Sequence, residues 1–168
     1  MVKKNAQNVY VVDQSDIYQY HAKLNEHNVN YFKSFNILSE SIYKTNPAID
    51  ALIFEMMCNN GNILTHRALQ LKSLYRQKGH NITLVTFTNC SEKLMKKALN
   101  YGVDFAISKS RALEADSILE SIICSDDKLK LDRLYINIPK PRNTNHITAP
   151  IDSKYLFLKG RITIPPLG

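Results

Sequence analysis

The chain has 168 residues, of which 44% are hydrophobic and 22% are charged, with 5 Gly and 6 Pro. This composition is typical of one globular domain with a short appendage, and it excludes a fibrous, mucin-like or disordered chain. The net charge is +7, divided into +3 for residues 1–125 and +4 for residues 126–168. Because Lys and Arg form no cluster with interleaved aromatic residues, we expect neither nucleic acid nor a membrane as the partner.

The cysteine content indicates a reducing compartment. The chain has 3 cysteines, an odd number, and no C-x-x-C spacing, which disfavours both a disulfide framework and a zinc site. The apolar run before Asp13 is too short for the core of a signal peptide, and no apolar run is long enough to span a bilayer. We therefore expect a cytoplasmic protein. The cysteines are Cys58, Cys90 and Cys124.

Short apolar runs alternate with amphipathic stretches through most of the chain, which is typical of a parallel sheet covered by helices. The apolar runs predict strands at residues 9–12, 31–35, 51–54, 82–87 and 105–108. Residues with helical spacing follow each run, at 15–26, 37–45, 64–77, 91–101 and 113–124. We therefore predict an α/β fold for residues 8–125, a doubly wound (βα)5 parallel sheet of the flavodoxin type.

The pattern changes after Asp127. Five of the six prolines fall in this part of the chain, and no helical period is visible. Residues 134–139 and 154–166 have the composition of extended segments, and the Lys159-Gly160 pair marks a hairpin turn in the second one. Residues 126–168 are thus predicted to be a basic C-terminal extension of extended or irregular structure.

Polar residues follow the predicted strands. Asp13 and Gln14 come after the first strand, Glu55 after the third, residues 86–88 at the end of the fourth, and Lys109 after the fifth. The carboxyl ends of parallel strands meet at one edge of a sheet, so these residues are expected to converge. Carboxylates that hold Mg²⁺ and an ammonium that holds a phosphoryl group are a chemically reasonable combination there.

These residues and their spacing resemble the receiver domain of two-component response regulators. The resemblance covers about residues 8–125 and is most specific in the stretch that ends at the lysine. It implies that Glu55 stands at the phosphoacceptor position, that Asp13 and Gln14 form the acidic pocket, and that Lys109 is the family lysine. The segments that carry it are VYVVDQ, DALIFEMM and the stretch from LVTF to GVDFAISKS.

The chain departs from the receiver pattern at the acceptor and in the acidic pocket. Glu55 is one methylene longer than the family's aspartate and is a poor replacement for an in-line nucleophile. With Gln14 in the acidic pair, only two carboxylates remain for a divalent ion. We therefore expect no bound metal and no other cofactor.

The switch positions depart from the pattern as well. Counting back from Lys109 places Phe87 where the family has Ser or Thr, although a shift of one residue would bring Thr86 or Thr88 to that place. The aromatic switch position holds Ala106. The rearrangement that reports phosphorylation in receivers would therefore lack both of its moving side chains.

These departures predict an atypical receiver without enzymatic activity that acts by protein contact. An ion pair between Lys109 and Glu55 would lock the domain in one state, independently of a phosphodonor. The resemblance implies a signalling partner such as a histidine kinase, a phosphotransfer protein or another regulator, and it implies a face through which homodimers also form. We call this face the partner face; its predicted residues are Lys93, Lys96, Lys97, Tyr101 and Arg111.

Two alternatives stay open at this stage. One is a phosphoryl-accepting receiver with weak Mg²⁺-dependent chemistry at Glu55, and the other is a DNA-binding transcription regulator whose output segment is 126–168. The second ranks lower because this segment shows no helix-turn-helix pattern.

The histidines have no metal-ligand spacing, so they predict no metal site; they are His21, His27, His66, His80 and His146.

Overall fold

The computed structural model describes residues 5–14, 24, 26–56, 61–109 and 112–136. In this part of the chain six strands form one parallel sheet in the order β2-β1-β3-β4-β5-β6. The strands are β1 (Asn8–Val12), β2 (Asn28–Phe32), β3 (Ala51–Phe54), β4 (Thr83–Thr88), β5 (Phe105–Ser108) and β6 (Leu134–Tyr135). The helices are α1 (Phe35–Thr45), α2 (Gly61–Gln77), α3 (Glu92–Tyr101) and α4 (Ala112–Cys124).

This architecture confirms the predicted α/β class with a parallel sheet. The order of the first five strands is compatible with a flavodoxin-like doubly wound sheet. Four predicted strands agree with the structure to within one residue at each end, because each is a short apolar run buried between layers of helices. The described sheet has one strand more than the five predicted, since β6 continues it beyond residue 125.

The prediction for the second strand is wrong by three residues. Residues 31–35 were expected to form it, but β2 spans Asn28–Phe32 and Phe35 begins α1. The Ser34 hydroxyl accepts a hydrogen bond from the Ile37 N–H at 3.3 Å and so caps the helix there. The strand pattern is an alternation of exposed and partly buried residues, which suits the edge of the sheet and does not produce an apolar run.

Segment 126–168 is described only as far as residue 136. β6 lies in the predicted extended segment 134–139 and pairs in parallel with β5. The Arg133 guanidinium holds it in place by donating hydrogen bonds to the carbonyl oxygens of Leu99, Val103 and Asp104. The predicted turn at Lys159-Gly160 lies outside the described residues, as does nearly all of the helix predicted over 15–26.

Alternation along the strands divides the core into two faces. Even-numbered strand residues such as Leu52 and Leu84 pack with α1, α2 and α3, and we call this side the three-helix face. Odd-numbered residues such as Ile53 and Ile107 pack against buried residues of α4, and we call this side the α4 face. Residues that follow a strand directly continue the same alternation, so odd-numbered ones are carried onto the α4 face.

None of the helices in the described ranges combines the length and the apolar character needed to cross a bilayer.

Candidate functional site

Three charged residues meet at the carboxyl end of the sheet, on the α4 face. Asp13 follows β1, Glu55 follows β3, and Lys109 follows β5. The backbone ladder continues through the first two, since the Asp13 N–H donates to the Phe32 carbonyl and the Glu55 N–H donates to the Val12 carbonyl, each at 3.0 Å. The strands therefore fix where these side chains start. We call Asp13, Glu55 and Lys109 the carboxyl-end cluster.

The Lys109 ammonium lies between the two carboxylates. Its Nζ is 2.9 Å from Asp13 Oδ2 and 2.8 Å from Glu55 Oε1. The Lys109 side chain is 0% exposed, that of Asp13 4% and that of Glu55 20%. A buried ammonium is tolerated only when anionic groups compensate for its lost hydration. Burial of the Lys109 side chain therefore depends on the two ion pairs.

The carboxyl group of Glu55 holds its proton more strongly than an ordinary glutamic acid. Burial is the main cause that raises the pKa of Glu55, and a hydrogen bond with Asp13 together with the charge of Asp13 raises it further. The nearby Lys109 ammonium opposes this shift only in part. The cluster thus places two carboxyl groups close enough to compete for one proton and one ammonium.

The structure answers the question of register at the fourth strand. Phe87 is buried on the α4 face, and Lys109 Nζ lies 5.8 Å from the centroid of its ring. The hydroxyl groups of Thr86 and Thr88 donate instead to the carbonyl oxygens of Phe54 and Met56. The side chain that faces the lysine from β4 is therefore an aromatic ring and not a hydroxyl.

Two other predicted residues lie apart from the cluster. Ala106 is fully buried in the core of the three-helix face, opposite Thr86 in the ladder between β4 and β5. Gln14 is exposed, and its carbonyl oxygen accepts a hydrogen bond from Lys33 Nζ at 3.5 Å. The acidic pair is therefore represented in the cluster by Asp13 alone.

The residues of the cluster do not fit a resident Mg²⁺. A divalent ion that bridged Asp13 and Glu55 would have to take the position that the Lys109 ammonium holds between them. It would also face two carboxylates, one of which has a raised pKa. Mg²⁺ prefers several anionic or neutral oxygen ligands in octahedral geometry, and an ammonium at this distance repels it.

The partner face is exposed where the structure describes it. Lys93, Lys96, Lys97 and Tyr101 all lie on the solvent side of α3. Lys96 Nζ pairs with the Glu92 carboxylate at 2.7 Å, and Lys97 Nζ lies 5.8 Å from the ring centroid of Tyr101. Arg111 lies outside the described residues.

The fold also joins residues that sequence spacing did not connect. His27 precedes β2, while Glu120 and Cys124 are four residues apart on α4, and the ligand atoms of all three lie within 4.8 Å of one another. The four-residue spacing of a carboxylate and a thiol on one helix face was a local signal. His27 is 93 residues from Glu120, so only the packing of α4 on the sheet brings it there.

No family model and no curated protein matches the chain. Among solved structures, a protein described as pilus assembly-related from Burkholderia pseudomallei is similar, with a TM-score of 0.51 and 13% sequence identity. The alignment covers 75% of this chain and 97% of that one. At this identity the likeness shows a shared fold and nothing about activity or partners.

Proposed function

We propose that this chain is an atypical receiver of the flavodoxin type that acts in phosphorelay-type signal transduction by binding a protein, without being phosphorylated. The observation that carries the proposal is the position of the Lys109 ammonium, in contact with both Asp13 and Glu55. This closed arrangement replaces the charge pattern that a phosphoryl group would create in a receiver. The module has no enzymatic activity of its own and acts in the cytoplasm.

Three features of the cluster act against phosphoryl transfer. The ammonium occupies the place of the metal, as described above. One oxygen of Glu55 is engaged by Lys109 and is therefore not free to attack a phosphoryl group. The longer side chain also moves the carboxylate away from the position of the aspartate that the family uses.

The two switch positions support a fixed state. Phe87 is 2% exposed and has no hydroxyl, and Ala106 is fully buried and has no aromatic ring, so each lacks the group that moves at its position in receivers. An empty volume at a buried Phe is costly, since truncation of such a residue to Ala costs about 3–5 kcal/mol. The cluster and the core beneath it therefore hold one conformation.

The partner face is the part of the molecule that we propose meets the partner. Three lysines on α3 are exposed, and only Lys96 has a carboxylate neighbour on the same helix. An acidic surface would be attracted to this face and its association accelerated. The partner is a histidine kinase, a phosphotransfer protein, another regulator or a second copy of this chain.

Amide NMR spectra of the full chain, recorded with Mg²⁺ and then with Mg²⁺ and beryllofluoride, test the absence of a phosphorylation response. We expect no site-specific shifts at Asp13, Glu55 and Lys109. The Glu55→Asp variant is the matched control, because it restores the length of the family's acceptor. Shifts in the wild type that start at these residues and extend to α3 would reject the proposal in favour of a phosphoryl-accepting receiver.

Photo-crosslinking tests the binding half of the proposal. A photoreactive residue is placed at Lys93 on α3 or, as a control, at Lys44 on α1, since both positions are exposed. We expect one discrete protein adduct from position 93, formed to the same extent with and without a small phosphodonor. Equal adducts from both positions, or an adduct that requires the phosphodonor, would contradict it.

A further inference from the structure

A second polar cluster, which is partly buried, lies at the opposite end of the sheet from Lys109. His27 directly precedes β2, Gln7 directly precedes β1, and Glu120 and Cys124 lie in the last turns of α4. We call His27, Glu120 and Cys124 the amino-end cluster. Its side chains are less accessible than surface groups, with the His27 side chain 4% exposed and that of Glu120 29% exposed.

The three side chains contact one another. His27 Nε2 lies 2.9 Å from Glu120 Oε2, Cys124 Sγ lies 3.0 Å from Glu120 Oε1, and Cys124 Sγ lies 3.8 Å from His27 Nε2. One imidazole nitrogen, one sulfur and one carboxylate oxygen thus lie within 4.8 Å of one another. Tetrahedral zinc with bonds of about 2.0–2.3 Å separates its ligand atoms by about 3.3–3.6 Å.

We propose that the amino-end cluster binds a zinc ion. Zinc accepts nitrogen, sulfur and carboxylate oxygen together, whereas Mg²⁺ and Ca²⁺ require oxygen ligands alone. The thiolate of Cys124 and the carboxylate of Glu120 balance the two positive charges of the ion. Water takes the fourth ligand position. The inference does not rest on the proposed function, since the two clusters lie at opposite ends of the sheet.

Binding rearranges protons in a defined way. The Gln7 N–H donates to His27 Nδ1 at 3.1 Å, so the neutral ring carries its proton on Nε2, where it faces Glu120. Zinc needs the lone pair of Nε2, so that proton is lost and Nδ1 gains one. Cys124 releases its thiol proton to solvent, and one proton per ion is released in total.

The same rearrangement gives binding a local reporter. Once Nδ1 is protonated, it no longer accepts from Gln7, and the Gln7 N–H turns to water or another acceptor. Loss of the Gln7 hydrogen bond weakens zinc binding. A histidine ligand usually donates its second ring N–H to an acceptor, and loss of such support weakens metal binding by about 10-fold to 100-fold. We therefore expect the Gln7 amide resonance to shift when zinc binds.

Cobalt(II) titration of the reduced full chain, followed by displacement with zinc, tests the proposal. The expected result is one equivalent of cobalt with a thiolate-to-cobalt charge-transfer band that zinc abolishes. The band should be lost in Cys124→Ser and kept in the matched controls Cys58→Ser and Cys90→Ser. Glu120→Gln and His27→Gln each remove a proposed ligand, so each should weaken binding by more than about 10-fold, which is the cost of losing a hydrogen-bond partner of a ligand.

Several outcomes would overturn the zinc site. They are the absence of a cobalt band in the wild type, a band that persists in Cys124→Ser, and a Gln7 amide that does not shift when zinc is added. If His27→Gln fails to fold, Glu120→Gln on the partly exposed side of α4 and Cys124→Ser decide the question.

Discussion

Each end of the sheet holds a cluster of polar side chains with restricted access to water, and the two clusters differ in chemistry. At the carboxyl end, Lys109 supplies a cation from the chain itself and holds two carboxyl groups at 2.8 and 2.9 Å. At the amino end, an imidazole ring, a thiol and a carboxylate are joined by hydrogen bonds. A built-in ammonium excludes a metal at the first end, while the ligand types at the second end suit one.

The difference teaches what decides whether a buried acidic group becomes an ion pair or a metal ligand. Burial alone favours neither outcome, because a buried carboxylate without a partner is costly at both ends of the sheet. The deciding feature is which donor the tertiary structure brings within reach. β5 brings an ammonium to Glu55, and β2 brings an imidazole to Glu120.

Replacement of Lys109 should give the largest effect. In Lys109→Met the two carboxyl groups lose their buried cation, and we expect the free energy of unfolding to fall by about 3–5 kcal/mol. Urea unfolding measures it. The control Lys96→Met removes a lysine whose side chain is 59% exposed, and it should change stability by less than about 0.5 kcal/mol. Similar losses for both variants would mean that the carboxyl-end cluster does not depend on its ammonium.

Zinc should stabilise the protein from the other end of the sheet. At a free concentration 100 times the dissociation constant, binding to the folded state alone adds about 2.7 kcal/mol to the free energy of unfolding. Thermal or urea unfolding with zinc and with a chelator measures the difference. Cys90→Ser should keep this stabilisation and Cys124→Ser should lose it, so equal stabilisation of the two variants would contradict a specific site.

The pH dependence of stability should distinguish Glu55 from ordinary carboxylates. Because its pKa is raised in the folded protein, the folded state binds more protons than the unfolded chain between the ordinary and the raised value. The contribution of Glu55 is therefore fully present below the ordinary pKa and is lost as pH rises through the raised one.

Urea unfolding from mildly acidic to neutral pH checks this sign. The wild type should lose stability across that window relative to Glu55→Gln, whose neutral amide does not titrate. A difference between the two proteins that stays constant with pH would show that the pKa of Glu55 is not raised.

Replacement of Glu120 should have the smallest effect. In Glu120→Gln one oxygen still accepts a hydrogen bond from His27 or from Cys124, so without metal we expect a loss of about 1 kcal/mol or less. Thermal unfolding in the presence of a chelator measures it. A loss comparable to that of Lys109→Met would mean that Glu120 forms an ion pair that contributes as much to the free energy of unfolding as the pairs of Lys109.

Much of the fold was accessible from local sequence patterns. The runs at residues 9–12, 51–54 and 105–108 are apolar because both faces of the central sheet are covered, and a fully buried strand leaves that signature. β2 lies at an edge of the sheet, where Asn28 and Asn30 are exposed. Its sequence therefore alternates between exposed and partly buried residues, and a search for apolar runs placed the strand three residues too late.

The candidate site was partly accessible as well. Asp13, Glu55 and Lys109 could be placed at one end of the sheet because each directly follows a predicted strand. Sequence could not decide between Phe87 and its threonine neighbours, because a shift of one residue exchanges the two faces of a strand. The pairing of Phe87 with Ile107 in the β4–β5 ladder resolved that ambiguity.

The sequence by itself determined the fold class, the order of the described elements from β1 to α4 and the position of the polar residues at strand ends. These follow from periodic burial and from caps such as Ser91 and Gly102, which act within a few residues. Only the tertiary structure decided the contacts of Lys109 with two carboxylates and of His27 with α4. Those contacts join residues from separate strands and helices, and their distances depend on register and packing, which no local pattern contains.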